Sequence, residues 1–121
     1  MTDPITCLAV VIYLEARGEP LAGRIAVADT VMTRALHEGM TRGPDTCAVV
    51  QSPGQYAVTG HVDYTSDEWA SAVAVSAAVV WGGVGCRCAT HFHTVSVTPY
   101  WADDLTRVGV IGEHVFYMEG T

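Results

Sequence analysis

One carboxylate stands in a setting that changes its chemistry. Glu15 follows an unbroken run of eight apolar residues, Cys7 to Leu14. A helix built on such a run has no polar face and must be enclosed on most sides. The run is too short to cross a bilayer, so it is the protein's own core that encloses it. Glutamate is rarely buried without a partner or a task. Pro20 disfavours helical backbone at Glu19, and Gly18 suits the left-handed residue that closes a helix. Glu15 therefore falls in the last helical turn, where the negative end of the helix dipole opposes ionisation and apolar neighbours push the same way by desolvation. Both effects favour a neutral, proton-donating acid near neutral pH, which is what cleavage of a glycosidic bond asks of its general acid. The competing reading is a carboxylate paired with Arg17, Arg24 or a histidine for structure alone.

Two groups of residues compete to complete a site. The first is a carbohydrate groove lined by Gln55, Tyr56, His91, His93, Tyr100 and Trp101. Rings offer sugars a flat apolar face, and amides offer hydrogen bonds. Ordinary glycoside hydrolysis uses two carboxylates. Asp63, Asp67, Asp103, Asp104 and Glu113 are available, but none has an apolar setting, and the break at Gly18 turns Glu19 away. A single acid suffices if the nucleophile comes from the sugar itself. The second group is Cys86, Cys88, His91 and His93, with His114 further on. Zinc takes such ligands tetrahedrally. In one regular strand, however, Cys86 and Cys88 face one side while His91 and His93 face the other, so four-fold ligation needs a bend. His91, His93 and His114 alone would leave an open coordination position, as a metal-dependent amidase or peptidase requires. The carbohydrate groove is the preferred reading, with no cofactor. A still simpler one has the two histidines decorating one face of a strand.

The elements that must hold these residues are legible in outline. A first helix is expected over Ile5 to Arg17, capped by Thr2 or Asp3 with Pro4 in its first turn. A second runs from Pro20 to Glu38, with Leu21, Ile25, Ala28, Met32 and Ala35 as its apolar stripe and Asp29, Arg34 and Glu38 mostly on the wet side. Asp45 or Thr46 caps a short turn over Cys47 to Val50, and residues 51–56 are too rich in turn formers to be regular throughout. A third helix, capped by Thr65 or Ser66, spans Asp67 to Trp81 and is stopped by Gly82 and Gly83. Strand-type sequence follows over Cys88 to Val97, Val108 to Ile111 and His114 to Met118, with a short helical turn over Asp103 to Arg107. Helices first and a small sheet last is an α+β layout.

The whole-chain totals exclude several functions. At 121 residues the chain is expected to form one domain with a core of its own. Six Lys and Arg against thirteen Asp and Glu give a net charge of −7, which argues against nucleic-acid binding. No apolar run is long enough to span a membrane, and the amino terminus has no signal-type segment, so the product is expected to be made and first kept in a cytoplasm. Cys7, Cys47, Cys86 and Cys88 allow three fully paired patterns. A bond between Cys86 and Cys88 is disfavoured, because cysteines two apart are hard to bridge without strain.

Several blocks together resemble the spore cortex-lytic and cell wall hydrolase family. They are Cys7-Leu-Ala9 leading to Ile12-Tyr-Leu-Glu-Ala-Arg-Gly-Glu-Pro20, then Gly23 to Arg34, Pro53-Gly-Gln-Tyr56, Ala89-Thr-His-Phe-His-Thr94 with Val97-Thr-Pro-Tyr-Trp101, and Ile111-Gly-Glu-His-Val-Phe-Tyr117. The chain departs from the usual pattern at Thr33, Glu113 and Met118. The resemblance implies a lysozyme-like α+β domain related to lytic transglycosylases, acting on peptidoglycan glycan strands between N-acetylmuramic acid and N-acetylglucosamine. It implies that Glu15 is the catalytic acid and then base, while the sugar's own 6-hydroxyl closes an anhydro ring. A bare catalytic domain of this size further resembles a monomeric phage endolysin, released from the host cytoplasm to reach the wall.

Overall fold

The computed structural model describes residues 3–38, 46–51, 56 and 60–119. Helix α1 is Pro4–Ala16, and every residue from Cys7 to Tyr13 is buried. Its apolar run makes it the axis of the core, with α2 (Leu21–Glu38), α3 (Thr46–Gln51) and α4 (Asp67–Val80) packed around it. Leu8 and Ile12 are fully enclosed, and each such burial stabilises the fold by about 1.5–3 kcal/mol. Asp3 caps the helix: its carboxylate accepts from the amides of Ile5 and Thr6 and from the Thr6 hydroxyl. The Thr6 hydroxyl first, then the Ile5 amide, hold the Asp3 carboxyl below the ordinary carboxylate range.

The end of α1 differs from expectation. Gly18 is not left-handed; Arg17 keeps helical backbone and the Glu19 amide returns to the Ala16 carbonyl at 3.0 Å. Pro20 then opens α2, its carbonyl accepting from the Gly23 and Arg24 amides. The buried stripe of α2 is Val27, Ala28, Val31, Met32 and Ala35, whereas Leu21 is exposed. Asp29, expected on the wet side, is buried, and Arg34 is half-buried. Both have polar partners on the strand side of the fold. Helix α3 is tied to α1 by the Cys7–Cys47 disulfide, with Cα atoms 5.3 Å apart. Helix α4 begins at its Ser66 cap, which accepts from the Trp69 amide at 3.1 Å.

The sheet follows as β1 (His91–Thr94), β2 (Thr106–Ile111) and β3 (His114–Met118), antiparallel in the order β1-β3-β2. Strand β1 is shorter than the expected Cys88 to Val97. Residues before it form a cystine loop, and Val95 turns away, its amide donating to the Glu113 carbonyl. The helical turn expected over Asp103 to Arg107 is a 3₁₀ turn at Ala102–Asp104, because Thr106 already pairs with Met118. A bulge between Arg107 and Gly109 breaks the β2–β3 register. Phe92 pairs with Phe116 across β1 and β3, and both rings pack against the helical core.

Candidate active site

Glu15 is half-buried in the last turn of α1. Of its possible cationic neighbours, Arg17 lies over the Tyr13 ring at 4.6 Å. Arg24 donates to the Glu19 carbonyl at 3.2 Å and to the Ser71 hydroxyl. Helix α2 touches both α1 and β1, so it links the carboxylate helix to the two-histidine strand. The link has a polar contact in it: Arg34 Nη2 donates to His91 Nε2 at 3.1 Å, while His91 Nδ1 meets the Thr90 hydroxyl at 2.9 Å.

A wall of rings rises from the same face of β1. Residues directly opposed in an antiparallel pair point to one side of the sheet. His91 opposes Tyr117 and His93 opposes Val115, so His91, His93 and Tyr117 share a face. Trp101 closes over them, with ring centroids 5.0 Å from His91, 5.8 Å from His93 and 5.4 Å from Tyr117. His93 stacks on Tyr117 at 5.3 Å, bonds its hydroxyl through Nε2 at 3.0 Å, and donates from Nδ1 to the Thr94 carbonyl at 2.7 Å. These bonds fix the tilt of the two histidine rings before any ligand arrives.

The same register rules out the three-histidine metal site. His114 opposes Thr94 and therefore shares the other face, with Phe92 and Phe116. It is buried, its ring edge-on to Phe92 at 5.3 Å, and its Nδ1 lies 2.8 Å from the Glu19 carboxylate. Cys86 and Cys88 are joined to each other, against expectation, with Cα atoms 5.1 Å apart. Arg87 makes this geometry accessible by adopting a left-handed backbone, φ +55°. That conformation is uncommon for a residue with a side chain, and Asp29 holds it in place. The Asp29 carboxylate accepts from the Cys86 amide at 3.0 Å, the Arg87 amide at 2.9 Å and the Arg87 guanidinium. Gly85, at φ +112°, leaves room for that carboxylate, where any side chain would collide with it. Among the described residues no group of three or more His, Cys, Asp or Glu is placed to hold a metal ion.

The family model of the cell wall hydrolases matches residues 18–117, a stretch that begins three residues after Glu15. The chain belongs to that family. Two solved structures share the fold. One is the catalytic domain of the germination-specific lytic transglycosylase SleB from Bacillus anthracis, 25% identical, with a TM-score of 0.70 over 94% of this chain and 93% of that one. The other is the catalytic domain of the Bacillus cereus SleB protein, 24% identical, with a TM-score of 0.69 over 94% of this chain and 88% of that one. No curated relative matches by sequence. The α+β, lysozyme-like fold expected from the sequence is the fold these domains share.

In this cell wall hydrolase the structure gathers only part of the predicted groove. His91, His93 and Trp101 form one cluster. Tyr56 packs on Phe92 at 5.7 Å, behind the strand rather than with the histidines. Tyr100 is 93% exposed and stands apart from the cluster; Gln55 lies outside the described residues. Sequence reasoning missed Tyr117 and Arg34. Tyr117 was detectable in principle, since strand pairing that opposes His91 to Tyr117 puts both on one face, but the register had to be known. Arg34 looked like an ordinary helix-surface cation. A cavity of about 510 Å³ opens between α2 and β2, walled mainly by Ile25, Ala26, Val108, Val110, Ile111 and Phe116. Its carboxylate, Asp29, is already fully engaged, so the cavity offers apolar contact and no free acid or base. A smaller one, about 210 Å³, lies beside the end of α1 between Ile12, Arg17, Arg24, Asp67, Glu68 and Ser71.

Proposed function

We propose that this cell wall hydrolase is a peptidoglycan-degrading glycosidase. It cleaves the bond between N-acetylmuramic acid and N-acetylglucosamine as a lytic transglycosylase, with Glu15 as its single acid/base. One observation carries the reading: a half-buried glutamate ends the core helix, and the neighbouring helix reaches from that helix to a preorganised wall of His91, His93, Trp101 and Tyr117. Family membership and the likeness to a lytic transglycosylase domain support it.

The chemistry balances without water. The Glu15 carboxylic acid gives its proton to the glycosidic oxygen as the bond from that oxygen to muramic C1 breaks, and the leaving sugar departs with a free hydroxyl. The resulting carboxylate takes the proton of the muramic 6-hydroxyl while that oxygen bonds to C1. The product carries a 1,6-anhydro ring, and Glu15 ends protonated as it began. The ring wall supplies flat faces for sugars, which suits Trp101 and the histidines. Gln55, Tyr56 and Tyr100 remain proposed contacts for sugars farther along the strand.

The chain acts as one catalytic domain and as a monomer, on the cell wall after leaving the cytoplasm. The Cys7–Cys47 and Cys86–Cys88 disulfides fit work outside a reducing compartment. The test is mass spectrometry of digested sacculi with wild type and Glu15→Gln. Anhydromuramyl ends are expected from wild type and none from the folded variant. Reducing ends would indicate hydrolysis, free stem peptides would indicate an amidase, and lysis by Glu15→Gln would remove Glu15 from the mechanism.

A further inference from the structure

One largely enclosed acid, Glu19, takes no part in the mechanism and is not tied to a cystine loop as Asp29 is. Glu19 lies four residues after Glu15, in the connection between α1 and α2, and its side chain is only 10% exposed. Its Oε1 accepts from the Glu113 amide at 2.7 Å and from His114 Nδ1 at 2.8 Å. Oε1 is the acceptor of the Glu113 amide, and the imidazole hydrogen that completes the second bond sits on Nδ1. His114 is 2% exposed, and its Nε2 has no hydrogen-bond partner among the described residues. Packed against Phe92 and Phe116, the ring has its described hydrogen bond on one side, to Glu19.

The seat is shaped to fit. On one side Gly23 of α2 brings its backbone against the Glu19 side chain, and a Cβ there would meet Glu19 Cβ at 3.2 Å. On the other, Gly112 sits at φ +57° in the β2–β3 turn, where a Cβ would collide with the carboxylate itself. Glu19 therefore joins the tip of α1 to the first residue of β3. That strand carries β1 on its other edge, with Thr94 opposite His114 and His91 opposite Tyr117. Moving the His114 end of β3 moves His91, His93 and Tyr117 with it.

We propose that Glu19 is a positioning residue: by holding the Glu113–His114 end of β3 it sets the spacing between Glu15 and the wall of His91, His93, Trp101 and Tyr117. The inference rests on Glu15 being the acid. Misplacing a reacting group by about 1 Å can cost on the order of a hundredfold in rate. The contact needs an acceptor of the right length, not a charge, so length and charge can be varied separately.

The experiment measures kcat and KM on soluble, uncrosslinked glycan strands for wild type, Glu19→Ala, Glu19→Asp and Glu19→Gln, at a temperature where circular dichroism shows each to be fully folded. Glu19→Ala and Glu19→Asp should lower kcat at least about tenfold with KM changed less than about threefold. Glu19→Gln, which keeps an oxygen at the same reach, should restore kcat to within about threefold of wild type. Wild-type kcat in a folded Glu19→Asp or Glu19→Ala would overturn the proposal. So would failure of Glu19→Asp and Glu19→Gln to fold, since Glu19 would then serve the fold and not the spacing. Glu15→Gln run alongside separates the two ideas: if it is inactive while the Glu19 variants are normal, only the positioning role fails; if it is active, the acid assignment fails.

Discussion

The helical half and the sheet half of this molecule are held by different physics. Around α1 the contacts are apolar and nearly dry: Leu8, Val11, Ile12, Val27, Val31, Val50 and Val79 are each fully enclosed. The sheet is thinner. Strand β2 is mostly exposed, and Phe92, Ile111 and Phe116 supply much of the sheet's apolar contact with the helices. What fixes its placement is polar. Asp29 grips the 85–87 loop, Arg34 meets His91, and Glu19 holds the start of β3. Non-directional burial resists unfolding, whereas directed bonds of fixed length set distances. A two-sided site needs both, one half to stay folded and the other to be aimed.

That contrast can be broken at either end. The largest effect belongs to Glu15→Gln, expected to lower glycan cleavage by more than about a thousandfold with the melting temperature almost unchanged; a combined turnover and calorimetry measurement checks it. Next is Leu8→Ala. It should destabilise the whole molecule by about 2–5 kcal/mol in denaturant titrations, while the protein that remains folded keeps its activity per molecule.

Asp29→Ala sharpens the comparison from the other side. Losing the acceptor for two amides and a guanidinium should cost about 2–4 kcal/mol, and the loss should be local. Hydrogen exchange should accelerate at Cys86 and Arg87 and leave the amides of α1 protected. Equal acceleration in both halves would show that the clamp supports the global fold instead.

Trp101→Ala should weaken glycan binding by up to about tenfold, since aromatic stacking is worth roughly 0.5–1.5 kcal/mol, with little change in melting temperature. The smallest effect is at the cap of α1. The Asp3 carboxyl is held low by the Thr6 hydroxyl and the Ile5 amide. Its contribution to stability is therefore present above the ordinary carboxylate pKa and lost as pH falls through the lowered folded value. Asp3→Asn, which caps without titrating in this range, should flatten the acid limb of the curve of melting temperature against pH.

The sequence was most informative where one interaction dominates. The apolar run Cys7 to Leu14 defines α1 and places Glu15 in its last turn, and β3 runs over His114–Met118 as expected. Legibility failed wherever a polar group's partner lies far along the chain. Asp29 reads as a surface residue on helical periodicity, yet its donors are 57 and 58 positions away. A bond between Cys86 and Cys88 reads as disfavoured because a left-handed Arg87 is not visible in residue types. Tyr56 and Tyr100 have rings of the type that suits sugars, and residue type does not show that one packs on Phe92 while the other is exposed. Type suggests what a side chain can do, and only register and packing decide which neighbours it has.

The break in pairing between Arg107 and Gly109 has a consequence at the rim of the sheet. Among the described residues strand β2 has no strand paired to its outer side, and Val108 and Val110 are both about half exposed. A flat strand of that kind is a template on which another chain could add itself. The irregularity bends the strand and spoils its hydrogen-bond spacing, and Arg107 adds a charge beside it. An otherwise adhesive margin is thereby made a poor match for a second strand, which favours solubility in crowded surroundings.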